Sequence, residues 1–271
     1  MTFCDNAVAV VTGGAGGIGG AISRRLAARG DHLILNDIDE EAAQRAARDI
    51  RAAGGECDLV IGDITDAAIV TALYDAVAVR GGAEWLVNNV GDFRPASRSF
   101  LHSTPEQWRA LLDINLWHVF AVTHALLPGM LERGSGGIVN VSTVEAYRGI
   151  PAHAAYSAFK AGVSAFTKSL AVEVGGSGVR VNAIAPDLTD TDQTPAAAML
   201  RGRDPELTRH WLPVGRFGRP DDAASVVAFL LSPDASFVTG HTIPVDGGTL
   251  SASGWFPRAD GKGWSNMPDR P

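Results

Sequence analysis

Cysteine is nearly missing from this chain: Cys4 and Cys57 are the only two in 271 residues. Neither stands near a second thiol or a pair of histidines, so the sequence offers no disulfide framework and no zinc-ligand spacing. No apolar run approaches the roughly 20 residues that a membrane helix needs. Met1–Asn6 has neither the basic start nor the apolar stretch of a signal peptide, so the expected compartment is the cytoplasm, with no membrane partner. Blocks of like charge are missing too. A net charge of −7 without a clustered Lys/Arg excess speaks against a phosphate-backbone footprint, and so against nucleic acid as a partner.

What remains is an ordinary globular make-up, 46% hydrophobic and rich in glycine, at a length that one large α/β domain accommodates. The Val-rich run Ala7–Thr12 ends in a glycine-dense turn before the periodic stretch Ile18–Arg29, which reads as strand, tight turn, helix. The rhythm continues. Strands at His32–Asn36, Cys57–Ile61, Trp85–Asn88, Gly137–Ser142, Val179–Ile184 and His241–Val245 alternate with helices at Asp39–Ala53, Asp66–Arg80, Pro105–Leu131, Ala154–Glu173 and Asp221–Leu231. Seven strands in this alternation predict a single-domain α/β Rossmann fold, a doubly wound parallel sheet with helices on both faces. Residues 187–213, crowded with Thr, Asp and Pro, break the rhythm and read as a functional lid within a domain covering 1–250. Residues 251–271 lack periodicity and read as a tail, which Trp255 and Trp264 predict to be docked.

The turn Thr12-Gly13-Gly14-Ala15-Gly16-Gly17-Ile18-Gly19 lies where bare backbone approaches a pyrophosphate and a helix N-terminus supplies partial positive charge. Asp37 closes the second strand, 18 residues beyond Gly19, where a carboxylate accepts from the adenosine ribose hydroxyls. Its charge repels a 2′-phosphate. Neither Ile38 nor Gly16 supplies the Arg or Lys that such a phosphate would seek, so NAD is expected rather than NADP. Asp also suits a helix N-cap, a role open to Asp37 and to Asp39.

Tyr156 and Lys160 stand four apart on a predicted helix, so both leave one face. A tyrosine of pKa about 10 is a poor base until a nearby ammonium stabilises its phenolate, which makes Lys160 the tuner and Tyr156 the acid/base. Taken alone, the pair also describes a half-buried ring beside a solvated lysine.

The motifs TGxxxGIG, Asn88-Asn89-Val90-Gly91, Asn115, GGIVNVST and YSAFK, closed by Asp246-Gly247-Gly248, occur in an order and spacing that resemble the short-chain dehydrogenase/reductase family, from about Ala7 to Gly248. The resemblance implies that Asn115 holds the water of a proton relay, Tyr156 is the acid/base, and Lys160 binds ribose while lowering the tyrosine pKa. It implies cofactor contacts at Gly13, Gly16, Gly17, Ile18, Gly19, Asp37 and Ile38, at Asp63 and Ile64 beside adenine, and at Asn89, Val90, Gly91, Pro186, Thr189 and Thr191. It also implies a homotetramer.

Three positions depart from the family pattern. Thr143 stands 13 residues before Tyr156, where Ser is usual. Strand neighbours face opposite ways, so Thr143 is expected to offer the hydroxyl and Ser142 to pack, unless a one-residue bulge exchanges them. Val90 replaces a more frequent Ala, and Asp187 replaces a usual Gly, either reshaping the nicotinamide loop or standing as a surface turn residue.

The expected activity is an NAD-dependent oxidoreductase that interconverts a secondary alcohol and its ketone without a metal. Substrate choice would rest with Phe93, Arg94, Glu145, Tyr147, His153 and the lid. There Arg201, Arg203, Arg209, His210 and Trp211 either grip an anionic or aromatic substrate or are simply solvated. The alternatives are an NADPH-dependent carbonyl or 3-oxoacyl reductase, a lyase or epimerase that regenerates NAD, and a non-catalytic NAD-binding regulator.

Overall fold

The computed structural model describes residues 7–252 together with 256–257 and 264–265. Strands β1 (Val8–Thr12), β2 (His32–Asp37), β3 (Glu56–Ile61), β4 (Trp85–Asn88), β5 (Gly136–Val141), β6 (Val179–Pro186) and β7 (Thr242–Val245) form one sheet. Its order is β3-β2-β1-β4-β5-β6-β7, and every pairing is parallel. Ser142 falls one residue beyond β5, whereas β6 runs two residues past its expected end.

All five residues of β1 are buried. Ala9 and Val11 join a core with Ile22, Leu26 and Val227, from helices α1 (Gly17–Ala28) and α9 (Pro220–Leu230), and with Ala43 of α2 (Glu40–Ala52). Val8 and Val10 join a second core on the opposite face. There they meet Leu73 of α3 (Ala67–Val79), Leu126 of α5 (His118–Arg133) and Leu170 of α6 (Ala154–Val174). Burial on both faces is why these strands read as continuous apolar runs rather than as alternations.

Strand order reverses beside β1, which pairs β2 on one side and β4 on the other. Doubly wound sheets open a crevice beyond the carboxyl ends of the strands at such a point. Thr12 sits there: its Oγ1 donates to the Val87 carbonyl at 3.5 Å and accepts from Asn89 N at 3.0 Å, tying the ends of β1 and β4 together.

The expected helix Pro105–Leu131 is not uniform. A π-helical turn, Asp113–Trp117, separates α4 (Pro105–Leu112) from α5. By length and composition Pro105–Arg133, 29 residues that include an 18-residue stretch of mean hydropathy 1.4, is also apolar enough to cross a membrane, contrary to the reading from apolar runs. Here Val122, Leu126 and Met130 pack it into the second core, as a core helix does. The lid carries short helices α7 (Ala196–Leu200) and α8 (Thr208–Trp211). In the tail Phe256–Pro257 pairs antiparallel with Trp264–Ser265, while Cys4 and Trp255 lie outside the described residues. Cys57 is buried and unpaired, and burial pushes its thiol up to about 11.

Candidate active site

The glycine-dense turn is shaped by close approach. A Cβ on Gly19 would strike the Gly13 carbonyl oxygen and come within 2.5 Å of Asn89 Nδ2, so the turn and the α1 start can meet only through bare backbone. Gly13 and Gly17 hold φ of +60° and +52°, a region that favours glycine. At Gly16 a Cβ would meet nothing within 4 Å, and this residue caps α1 without any side-chain bond. A helix N-terminus left this open, above a bare turn, is a cradle for a diphosphate.

Asp37 ends β2 beside this cradle. One carboxylate oxygen accepts from Ala15 N at 3.0 Å and the other from Asp39 N at 3.1 Å. Capping of α2 falls to Asp39, which accepts from Ala42 N at 2.9 Å. Next to it Ile38 is exposed. Across the crevice Ile64 is buried in the second core and Asp63 accepts from Thr65 N and Oγ1.

The loop after β4 is clamped from both sides. Asn89 Nδ2 donates to the carbonyls of Thr12 and Gly13, each at 3.0 Å. Val90 O meets His118 Nε2 at 3.1 Å. A Cβ on Gly91 would lie 2.6 Å from Lys160 Nζ and 3.0 Å from Asn115 Oδ1, so this loop passes over both residues only as glycine. Asn115 lies in the π-helical turn with its side chain fully buried. It donates to the carbonyls of Asp92 at 2.7 Å and Leu111 at 3.0 Å and accepts from Asp92 N at 3.1 Å.

Burial pushes the Tyr156 phenol up to about 12, with the neighbouring Thr143 side chain opposing and the charges of Glu145 and Asp92 adding to the rise. Thr143 Oγ1 donates to Pro186 O at 3.3 Å. Ser142 points elsewhere: its hydroxyl bonds Lys160 O at 2.9 Å and Ser164 Oγ at 3.0 Å, against α6. Lys160 is fully buried on the neighbouring turn. Its ammonium donates to Val141 O at 2.9 Å, and burial lowers its pKa to about 8.

Every residue expected to touch cofactor or substrate oxygen, except Asn115, lines one cavity of about 790 Å³. Asn115 stands behind its wall and holds the Asp92 main chain. Thr189 donates to Asp187 O at 2.6 Å and Thr191 pairs with Thr194 at 2.9 Å, 3.6 Å from where a Gly17 Cβ would stand. The substrate end has aromatic walls: Phe93, His153 and Tyr156 meet edge to face with centroids 5.2 to 6.4 Å apart. Arg94 is held by Asp92 and Tyr147 is half-exposed. A second cavity of about 820 Å³ lies under the lid, between Phe93, Met199 and Trp211, with the Arg203 guanidinium 5.9 Å from the Trp211 ring. Arg201 lines that second cavity too, whereas Arg209 pairs with Glu206 on the surface at 3.3 Å.

Asp187 is not a surface turn residue. Its side chain is buried and takes Arg148 Nη2 at 2.8 Å and the Thr249 hydroxyl. Sequence reasoning missed Arg148, and it missed two more residues that fix this region. His118 is fully buried, and burial lowers its pKa to about 3. Gln193 reaches from the lid to Gly91 O at 3.2 Å. No motif marks any of the three; apart from Glu145, three residues before Arg148, their partners are distant in sequence and come together only through the topology.

The cradle, the ribose-side carboxylate and the Thr143–Tyr156–Lys160 cluster fit a nicotinamide dinucleotide, and the comparisons agree. The family model described as enoyl-(acyl carrier protein) reductase matches residues 13–249. The 3-oxoacyl-(acyl-carrier-protein) reductase of Chlamydia muridarum is 36% identical over 248 residues, 90% of this chain and 97% of that protein. Cis-4-hydroxycyclohexanecarboxylate dehydrogenase of Sinomonas cyclohexanicum is 41% identical over 243 residues, 89% of this chain and 95% of its own length. Among solved structures, a variant of actinorhodin polyketide ketoreductase with NADPH superposes with a TM-score of 0.84 at 34% identity, over 92% of this chain and 99% of that one. The chain belongs to the short-chain dehydrogenase/reductase family, as an NAD(P)-dependent oxidoreductase of CH–OH and keto groups.

Proposed function

We propose that the chain interconverts a secondary alcohol and its ketone with NAD as the preferred cofactor. The observation that carries this reading is a single cavity lined by Asp37 at one end and by Thr143 and Tyr156 at the other. None of its lining residues from the glycine-dense turn, the end of β2 or Gly62–Ile64 is a cation, so nothing there partners a 2′-phosphate. Gly13, Gly16, Gly17 and Gly19 would hold the diphosphate, Asp37 the adenosine ribose, and Lys160 the second ribose. When bound, the nicotinamide supplies the hydride acceptor in oxidation and the donor in reduction.

Thr143 Oγ1 donates to the substrate oxygen and Tyr156 Oη gives or takes its proton. With its phenol held up to about 12, Tyr156 is protonated at neutral pH and stands ready as the acid of ketone reduction. The alcohol-oxidising direction needs the Lys160 ammonium, charged below pH about 8, to favour the phenolate. Asn115 orders the floor beneath both through the Asp92 main chain. Three further copies of the chain are expected to complete a homotetramer.

The competing reading is an NADPH-dependent reductase, which the carrier-protein reductase and the ketoreductase with NADPH support by similarity. Titration with NADH and NADPH, followed by energy transfer from protein to nicotinamide, separates the two. NADH preference that is lost in Asp37→Ala supports the NAD reading; tighter NADPH binding by the unaltered protein reverses it.

A further inference from the structure

Arg148 has no place in the reaction above, yet it closes a circuit of bonds that runs through Thr143. Main-chain pairing between β5 and β6 ends with Ser142 N donating to Ile184 O at 2.8 Å. Past that bond the two strand ends are joined through side chains. Thr143 Oγ1 donates to Pro186 O and accepts from Glu145 N, both at 3.3 Å. The Glu145 carboxylate accepts from Arg148 Nη2 at 3.1 Å, and the same nitrogen donates to Asp187 Oδ2 at 2.8 Å. Asp187 follows Pro186 in the chain, which returns the circuit to its start.

The far side of the circuit is anchored. Asp187 also takes the Thr249 hydroxyl, and its N–H donates to Val245 O at 3.4 Å, so the end of β7 is tied to the same point. The side chains of Glu145 and Asp187 are only 14% and 6% exposed, and Arg148 is the cation between them. Two carboxylates so sheltered repel each other once that cation is removed. Each bond of Thr143, at 3.3 Å, is long, so neither alone fixes the side chain or keeps its proton from a better acceptor. The hydroxyl is therefore free to turn its proton to a substrate oxygen, provided that the frame around it keeps its place.

We propose that Arg148 is a positioning residue for Thr143: by holding Glu145 and Asp187 on one nitrogen it sets the gap between the turn after β5 and the end of β6, and so aims the Thr143 hydroxyl at the reacting oxygen. This rests on the alcohol–ketone reading above. Glu145 and Asp187 line the cavity and Arg148 stands behind them, so its effect passes through Thr143 and not through contact with the substrate. Without it the two turns part, and the donor to the developing alkoxide is misdirected.

The test is a double-mutant cycle in kcat at saturating NAD, with Arg148→Met and Thr143→Val made alone and together. The substrate is whichever of cyclohexanol, 1-phenylethanol and ethyl 3-hydroxybutyrate the unaltered protein oxidises fastest. Arg148→Met is expected to lower kcat at least about tenfold when Thr143 is present, and no more than about threefold where Thr143→Val has already removed the donor. A residue that serves only the fold costs the same factor in both backgrounds. That outcome overturns the proposal, as does a kcat for Arg148→Met within about threefold of the unaltered protein's. Should Arg148→Met lose its cooperative melting transition, Arg148→Gln, which reaches one carboxylate at most, replaces it in the cycle with the same expectations. If none of the three alcohols is oxidised with NAD or NADP, and none of the matching ketones is reduced with NADH or NADPH, the alcohol–ketone reading falls and the proposal with it; the outcomes above overturn the role of Arg148 alone.

Discussion

At the β1–β2 end of the cavity the wall is largely main chain: four glycines whose missing Cβ atoms leave a helix N-terminus open, with the carboxylates of Asp37, Asp39 and Asp63 beside them. At the β5–β6 end the wall is side chains: Thr143, Tyr156 and Lys160 on the reacting centre, then Glu145 and Asp187, which share Arg148 behind them in a partly buried ion-pair network. The first end serves a ligand whose shape never changes, and backbone geometry suffices for it. Variation in chemistry therefore has to live at the second end, where each side chain is replaceable without disturbing the turn.

The sharpest way to separate the two ends is Tyr156→Phe. Loss of the phenolic hydroxyl is expected to lower kcat by about 10²- to 10⁴-fold, roughly 3–5 kcal/mol of transition-state stabilisation. NADH affinity, read by fluorescence titration, should move by no more than about threefold, because the cradle is untouched. A parallel loss of both would mean that the two ends act as one unit.

Gly19→Ala attacks the opposite end. The added methyl collides with the Gly13 carbonyl and Asn89 Nδ2, one of them main chain that has no rotamer to yield. A loss of about 1–3 kcal/mol in urea unfolding is expected from overpacking, together with at least a tenfold weaker NADH titration.

Both ends were legible in the sequence to different depths. Strands buried on both faces announce themselves as apolar runs, and the glycine turn and the Tyr156–Lys160 spacing are local, so all of these could be read from the chain alone. The π-helical turn at Asp113–Trp117 leaves no break in apolar periodicity, which is why Pro105–Leu131 read as one helix. Asp187 and Arg148 are 39 residues apart. Their pairing depends on β6 ending beside the turn that follows β5, a fact of topology that no local pattern carries.

Lys160→Met tests whether the reacting centre was built at the expense of the fold. Burial lowers the lysine from 10.5 to about 8. Below pH 8 the native and unfolded chains both hold the proton, and the native state bears the full cost of a buried ammonium. Between pH 8 and 10.5 the native lysine loses its proton first, so stability is regained as pH rises. Methionine is therefore expected to stabilise the protein at pH 7 by about 1–3 kcal/mol, net of the lost bond to Val141 O, and the gain should shrink as pH approaches 10. Urea midpoints at the two pH values check the sign, while turnover falls at least about 100-fold.

The smallest effect is expected at Thr143→Ser, and it decides which part of that side chain matters. Serine keeps the hydroxyl, so the bonds to Pro186 O and from Glu145 N can both be remade. What is lost is one methyl and the stiffness of a β-branched χ1, worth less than about 1 kcal/mol here. Turnover should stay within about threefold. Thr143→Val keeps the shape and removes the donor, and a loss of about 10- to 100-fold in kcat is expected from one missing hydrogen bond to developing charge. Ser142 faces α6, so Ser142→Ala should lower the melting temperature more than it lowers kcat. If Ser142→Ala instead costs more turnover than Thr143→Val, the two hydroxyls exchange roles and the strand end must present its side chains the other way round.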